Sequence, residues 1–182
     1  AAEELKAGDE TDRVVHVGGR VVFVRNTGKL CFATLQGGTE GKRIQAMLSL
    51  AEVGEDSLAE WKSLVDLGDH VFVTGRVIVS RRGELSIMVT DWKMASKALR
   101  PMPVLHKDLN EETRVRQRYL DLMVREEARE LVKKRALITR TVRRVLEDHG
   151  YIEVETPVLQ LVHGGATARP FRTHLNAFDQ PM

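Results

Sequence analysis

Hydrophobic and polar residues alternate in short runs along the first half of the chain, a pattern that is typical of β-strands. Residues 14–17 and 20–24 are rich in β-branched side chains and flank Gly18-Gly19, which predicts one long strand with a bulge or a sharp coil at the glycines. Turn signals separate four further predicted strands, which cover residues 29–35, 43–50, 70–80 and 84–94.

A helical period interrupts this strand pattern between residues 57 and 65. Leu58, Trp61 and either Leu64 or Val65 fall on one face there, so we predict a short amphipathic helix between the third and fourth strands. Three strands, a helix and two more strands is the order of the five-stranded Greek-key barrel called the OB-fold. We therefore predict an all-β OB-fold barrel; a small β-sandwich and an SH3-like barrel are the alternatives.

The second half of the chain has a helical pattern. Pro101 and Pro103 predict an extended linker after the barrel, and helices are predicted at about residues 113–122 and 126–149. The alternation over 151–155 predicts a strand that Pro157 ends. We place the barrel domain at residues 1–104, a linker at 105–125 and the start of an α+β domain at 126–182. The longer helix carries an apolar stripe of Leu131, Ile138, Val142 and Val145, flanked by Leu137 and Leu146.

The charge balance is nearly neutral overall but uneven along the chain. The 182 residues are 42% hydrophobic and 30% charged, enough for a packed core, and the formal net charge is +2. Residues 13–50 carry six bases and one acid, residues 51–69 six acids and one base, and residues 100–144 thirteen bases and seven acids. This distribution excludes a uniformly basic protein of the histone kind and favours local basic faces.

Several kinds of site and location are excluded by what the sequence lacks. The single cysteine, Cys31, excludes a disulfide framework and lies in an apolar run, so we interpret it as a core residue. The six histidines are scattered, which predicts no metal site. The polar N-terminus and the absence of a long apolar run predict a soluble, cytoplasmic protein without a membrane segment. The missing initiator methionine suggests a piece of something longer.

The predicted barrel carries the residue types with which OB-folds bind single-stranded nucleic acid, namely stacking aromatics and cations on the face around strands two and three. Phe32 lies in strand two and Gln45 in strand three, while Glu84 opens strand five. Arg25 and Lys29 border the turn between the first two strands. The pattern alone favours a core position for Phe32 and a solvated turn carboxylate for Glu84.

Six stretches of the chain, at residues 28–36, 82–87, 98–101, 114–122, 153–157 and 164–174, follow the pattern of a known family. The most specific is Gly-Gly-Ala-Thr-Ala-Arg-Pro-Phe-Arg-Thr-His at 164–174. With these motifs the chain resembles the class II aminoacyl-tRNA synthetases of the aspartate–asparagine–lysine subgroup, and among them the lysyl-tRNA synthetases, over about residues 14–179.

The resemblance implies that the barrel binds the anticodon of tRNA(Lys). Phe32 matches the family's phenylalanine that stacks on the central uridine, and Gln45 and Glu84 match residues that help to read the bases. Arg25 and Lys29 complete the expected anticodon-binding set.

For the second half, the resemblance implies a homodimer interface and part of an amino-acid site. The helix from Arg129 to His149 and Pro157 match the family's motif 1, so Leu131, Ile138, Val142, Val145 and Pro157 are the expected interface. Gly165 matches a glycine that contacts lysine.

The family's motifs 2 and 3, which hold ATP, are absent from this sequence. We therefore expect no catalytic residue and no metal ligand in this chain. The longer parent would activate lysine with ATP and Mg²⁺ and charge tRNA, whereas this chain alone is expected to be inactive.

Two other functions stay open from the sequence. The parent could be a bifunctional protein in which a synthetase-like domain follows a membrane-embedded lipid lysyltransferase. Alternatively, the chain could be a non-catalytic OB-fold module for single-stranded nucleic acid.

Overall fold

A computed structural model of the chain describes residues 5–38, 40–103, 107, 109–162, 164 and 169–182. The chain divides into two compact units, Ala1–Val132 and Lys133–Met182, and the boundary falls within one helix. The domain boundaries predicted from the sequence stay a prediction.

Five strands form the larger part of the first unit: β1 (Glu10–Asn26), β2 (Leu30–Gly37), β3 (Lys42–Ser49), β4 (His70–Val79) and β5 (Leu85–Ser96). They close into a barrel in the order β1-β2-β3-β5-β4, with β4 pairing back onto β1. All the pairings are antiparallel except that of β3 with β5, which is parallel. The prediction of an OB-fold barrel is confirmed.

The barrel core is built from the inward positions of the alternating strands. On β2, Cys31, Ala33 and Leu35 are buried, and the intervening residues face outward. Two helices, α1 (Leu50–Val53) and α2 (Glu55–Leu64), connect β3 to β4, and α2 buries Leu58 and Trp61 against this core. Burial raises the pKa of the Cys31 thiol, an effect that Trp61 and Lys62 partly offset. Cys31 is therefore a core residue, as predicted.

The glycine pair in β1 serves close packing, and the predicted bulge or coil at Gly18-Gly19 is wrong. Both glycines continue the regular pairing of β1 with β4. A Cβ on Gly18 would lie 2.7 Å from the ring of Phe72, and one on Gly19 would lie 3.1 Å from the Cβ of Leu35. The bulge lies further along, where Val21 pairs with Leu35 but Phe23 pairs with Thr34.

The buried carboxylate of Asp69 forms hydrogen bonds that connect the residues after β5 to the loop before β4. Asp69 is fully buried and accepts hydrogen bonds from the amides of Asp66 (2.8 Å) and Ala98 (2.7 Å) and from Lys97 Nζ (2.7 Å). Burial alone would raise the pKa of Asp69, but these donors outweigh it and lower that pKa overall. The bonds to Asp66 and Asp69 in turn raise the pKa of Lys97.

The helix predicted over 113–122 is two short helices, α3 (Glu111–Arg116) and α4 (Arg118–Val124). They are separated at Gln117, whose backbone leaves the helical region with φ −114° and ψ 55°. Asp121 in α4 is fully buried and is paired with Arg118, with Arg125 (2.9 Å) and more distantly with Arg114 (3.7 Å). Three cations around one buried carboxylate hold this segment in place, because the carboxylate cannot stay unpaired away from water.

The predicted long helix is present as α5 (Glu126–Asp148). After it, residues 151–155 form no strand pairing in the described part of the chain, so the predicted strand is wrong. Its alternation is real, but all five side chains are exposed, and a strand needs a partner for its backbone groups. The unit ends in a two-stranded pair, β6 (His174–Leu175) and β7 (Gln180–Pro181).

Candidate nucleic-acid interface

One outward face of the barrel collects the predicted anticodon-binding residues of β1, β2 and β3. Arg25 pairs with Phe32 across β1 and β2, and Gln45 pairs with Thr34 across β2 and β3. Because residues two apart on a strand share a face, Phe32 and Gln45 are diagonal neighbours on the same surface. The neighbouring residues Ala33 on β2 and Ala46 on β3 are buried, so the alternation of each strand directs Phe32 and Gln45 outward.

Arg25 and Phe32 form a stacked pair. The guanidinium carbon of Arg25 lies 4.5 Å from the centre of the Phe32 ring, a cation–π geometry. Phe32 is half-buried and outward-facing, so its interpretation as a core residue is wrong. Arginine is itself planar, so this pair can offer a base two flat surfaces and a positive charge.

Gln45 and Glu84 meet beside this pair and form a polar site. Gln45 Nε2 donates to Glu84 Oε2 at 2.6 Å, although 39 residues separate the two in sequence. Ser86 Oγ lies 3.1 Å from Gln45 Oε1 and 2.9 Å from the backbone oxygen of Glu84. Glu84 is exposed and Gln45 is partly exposed, so both can reach a ligand, whereas Ser86 is fully buried.

Positive charge borders the turn between β1 and β2. Arg25 is the last residue but one of β1, and Lys29 is exposed in the turn before β2. Lys62, from α2, donates a hydrogen bond to the backbone oxygen of Gly28 in the same turn. The structure therefore adds one cation to the two that the sequence indicated.

Sequence reasoning missed two residues here, Phe23 on the face and Ser86 buried behind it. Phe23 is 53% exposed and pairs with Thr34, so it points outward beside Phe32. The bulge explains the miss: Val21 and Val22 are both buried, and this shifts the alternation so that Phe23 emerges. A strict alternation from Val21 would have placed Phe23 inside. Ser86 could be found only through its pairing with Gln45.

The predicted interface residues of the second half are accessible in the structure. On α5, the apolar side chains are 45–64% exposed at Leu131, Ile138, Val142 and Val145. Pro157 is exposed too. Gly165 lies outside the described residues.

The described residues were also searched for metal sites and membrane spans. Within them, no three His, Cys, Asp or Glu side chains are grouped so that they could hold a metal ion. No helix of the described chain combines the length and the apolarity that crossing a bilayer requires.

Two family models match the chain, one on each side of the proline linker. Residues 15–95 match the OB-fold nucleic acid binding domain, and residues 110–182 match the tRNA synthetases class II (D, K and N).

Relatives match the chain across both parts. It is 65% identical to the lysine–tRNA ligase of Kineococcus radiotolerans over 178 residues, which are 98% of this chain and 35% of the relative. It is 59% identical to that of Mycolicibacterium gilvum over 182 residues, 100% of this chain and 36% of the relative. The lysylphosphatidylglycerol biosynthesis bifunctional protein of Mycobacterium avium is 43% identical over 182 residues, 15% of its length.

The chain thus spans about a third of the length of the lysine–tRNA ligases that it matches. An OB-fold barrel precedes a class II synthetase segment here, in agreement with both family models. The chain therefore belongs to the class II tRNA synthetases of the D, K and N group.

Proposed function

We propose that this chain is the anticodon-binding and dimer-forming part of a cytoplasmic lysine–tRNA ligase. The observation that carries the proposal is that two pairs of side chains lie together on one outward face of an OB barrel. The guanidinium of Arg25 lies over the ring of Phe32, and Gln45 donates a hydrogen bond to Glu84. A ring for stacking, an amide and a carboxylate for base edges, and nearby cations are what single-stranded recognition needs.

In this proposal each residue of the face has a separate task. A base of the anticodon stacks on Phe32, and Arg25 either stacks on it or pairs with the adjacent phosphate. Gln45 and Glu84 take the hydrogen-bonding edge of a base, while Lys29 contributes to the attraction of the backbone. The similarity to lysine–tRNA ligases supports tRNA(Lys) as the partner.

The second half would contribute the homodimer interface. Leaving the stripe of α5 in water is costly, since burial of one such aliphatic side chain is worth about 1.5–3 kcal/mol. A symmetric contact with the same helix of a second copy covers the stripe on both chains at once. Pro157 would lie at this interface and Gly165 beside the lysine pocket.

Lysine activation belongs to the longer enzyme in this proposal. ATP and Mg²⁺ would supply and stabilise the phosphate chemistry that forms the lysyl-adenylate. The described residues hold no grouped metal ligands, and the sequence lacks the family's ATP-holding motifs, so we assign neither group a place on this chain.

A bifunctional lipid lysyltransferase is the second candidate, because one relative of that kind matches the whole chain. The identity to it is 43%, against 65% and 59% to the two ligases. The higher identity favours the ligase.

The experiment is a binding measurement with a stem-loop RNA that carries a UUU anticodon. Phe32→Ala should weaken binding by about 1–3 kcal/mol, the usual worth of one base stacked on an aromatic ring. Phe72→Ala is the matched control, since this ring is also exposed but lies on β4. Equal affinities of wild type and Phe32→Ala, with both folded, would contradict the proposal.

A further inference from the structure

Behind the Gln45–Glu84 pair lies Ser86, whose fully buried hydroxyl is within hydrogen-bond distance of both residues. We propose that Ser86 is a positioning residue that holds the Gln45 amide in the orientation selected by Glu84 and thereby strengthens the preference of the site for one pyrimidine. The inference rests on the proposed function, because it concerns how the same face reads a base.

The contacts around Gln45 suit only one of the two orientations of its amide. A carboxylate accepts hydrogen bonds and donates none, so the 2.6 Å contact with Glu84 requires the nitrogen of Gln45 on that side. Its oxygen then faces Ser86 Oγ at 3.1 Å, where the hydroxyl can donate to it. The flipped amide would place oxygen against the carboxylate and lose the bond to Glu84, so Glu84 selects the orientation. Ser86 Oγ, which also lies 2.9 Å from the backbone oxygen of Glu84, is the second contact of the amide.

Burial explains why Ser86 differs from its two partners. Ser86 is fully buried, although it pairs in register with the outward-facing Gln45 across the parallel β3–β5 contact. A bound base can compete for the exposed carboxylate of Glu84, but it cannot reach the hydroxyl beneath. When the base donates a hydrogen bond to Glu84, the contact with Ser86 therefore persists and helps to keep the amide in place.

The Gln45–Glu84 pair presents an N–H donor next to a carboxylate acceptor. For a base that is held in one orientation, this order distinguishes uracil from cytosine. Gln45 keeps a second N–H, and the carboxylate of Glu84 keeps free lone pairs. Uracil offers a carbonyl oxygen next to an N3–H, which complements a donor and an acceptor in turn. Cytosine offers an amino group next to an unprotonated N3, whose lone pair would face the carboxylate. An amide that turns freely would relax this preference.

The experiment compares this chain with its Ser86→Ala variant, using a UUU stem-loop and three stem-loops with a single U→C change. Wild type should prefer UUU over at least one of them. In Ser86→Ala that preference should fall about three- to tenfold, the worth of one hydrogen bond, with a smaller change in affinity for UUU itself. Ser57→Ala is the matched control, since it removes one hydroxyl partner, that of Trp92 Nε1, elsewhere in the barrel.

A second readout uses the free protein and needs no RNA. In the amide NMR spectrum, the two side-chain protons of Gln45 should be widely separated in wild type and should move together in Ser86→Ala. If thermal melting shows that Ser86→Ala is unfolded, Ser86→Cys, which is similar in size and a weaker donor, takes its place.

The outcomes separate the two proposals. An unchanged U over C preference and unchanged Gln45 protons would overturn the role of Ser86 and leave the anticodon assignment intact. An equal loss of preference in Ser57→Ala would also overturn it, because the effect would then be a general loosening of the barrel. If wild type itself binds no stem-loop, the proposed function fails and the inference fails with it.

Discussion

The barrel face and helix α5 are both exposed surfaces, yet they are built in opposite ways. On the face, the side chains that we propose to bind the anticodon are already paired in the free protein: Arg25 with Phe32 and Gln45 with Glu84. Along α5, by contrast, the apolar stripe is open, with Ile138 64% exposed. The side chains of the first surface already contact one another in the free protein, whereas the side chains of the second are apolar and exposed to solvent.

This difference indicates what kind of partner each surface fits. A polar face whose groups satisfy one another in the free state exchanges those contacts for contacts with a ligand, so binding can be reversible and selective. A wide apolar stripe gains mainly from permanent removal of water, which suits an obligate partner such as a second copy. The following predictions test this contrast, from the largest expected effect to the smallest.

Substitution in the barrel core should show how much the core side chains contribute to the free energy of unfolding. Trp61→Ala should lower the free energy of unfolding by about 3–5 kcal/mol, because the indole is completely buried and packs edge-on against Trp92. Leu137→Ala, on α5, should cost less than about 0.5 kcal/mol when measured on the monomer, in which this side chain is exposed. Urea unfolding followed by circular dichroism measures both. Comparable costs would mean that Leu137 is covered in solution.

The buried Asp69 should make barrel stability depend on pH. Its folded-state pKa is lowered, so its contribution is full above the unfolded value of about 4 and is lost as the pH falls through the folded value. Asp69→Asn should therefore cost about 2 kcal/mol at pH 7, and the difference from wild type should shrink below pH 4. Asp66→Asn is the control, because this carboxylate shares Lys97 but is exposed. A difference that is constant with pH would exclude the charge as the cause.

A charge placed in the apolar stripe of α5 should weaken self-association without affecting RNA binding at the barrel face. Ile138→Asp should weaken self-association by about 1.5–3 kcal/mol, the worth of one buried isoleucine, and leave binding of the stem-loop unchanged. Arg140→Asp introduces the same group two residues later, on roughly the opposite side of the helix, and should have little effect. Sedimentation velocity over a concentration series measures the association. A monomeric wild type would remove the basis for the dimer.

The smallest effect is expected at the ring that the bulge exposes. Phe23→Ala should weaken binding of the stem-loop by about 1 kcal/mol, the lower end for one stacked base, because Phe23 has no arginine stacked on it among the described contacts. The preference for U over C should not change, since stacking tolerates every base. Phe72→Ala again serves as the control. A loss of preference in Phe23→Ala would mean that this ring also positions the reading pair.

Local patterns in the sequence predicted most of the barrel, because hydrophobic and polar residues alternate along each strand. The same rule failed where an extra residue shifts the alternation, as at Val22, and where alternation lacks a partner strand, as at residues 151–155. Phe32, Gln45 and Glu84 were predicted from the residue types that the chemistry needs and from the resemblance, and they stay predictions as binding residues. Ser86 could not be predicted, since its proposed role depends on the pairing of two strands that are distant in sequence.

The parallel pairing of β3 with β5 also orders events during folding. The contact between Arg25 and Phe32 requires only β1 and β2, which are neighbours in the chain, whereas the Gln45–Glu84 pair joins residues 39 apart and forms only when β5 lies beside β3. Contacts between distant residues form late, because the intervening loop must first be confined. A chain that ends before β5 would therefore lack the Gln45–Glu84 pair while keeping the strands that carry Arg25 and Phe32. The pair thus reports that β5 has joined β3.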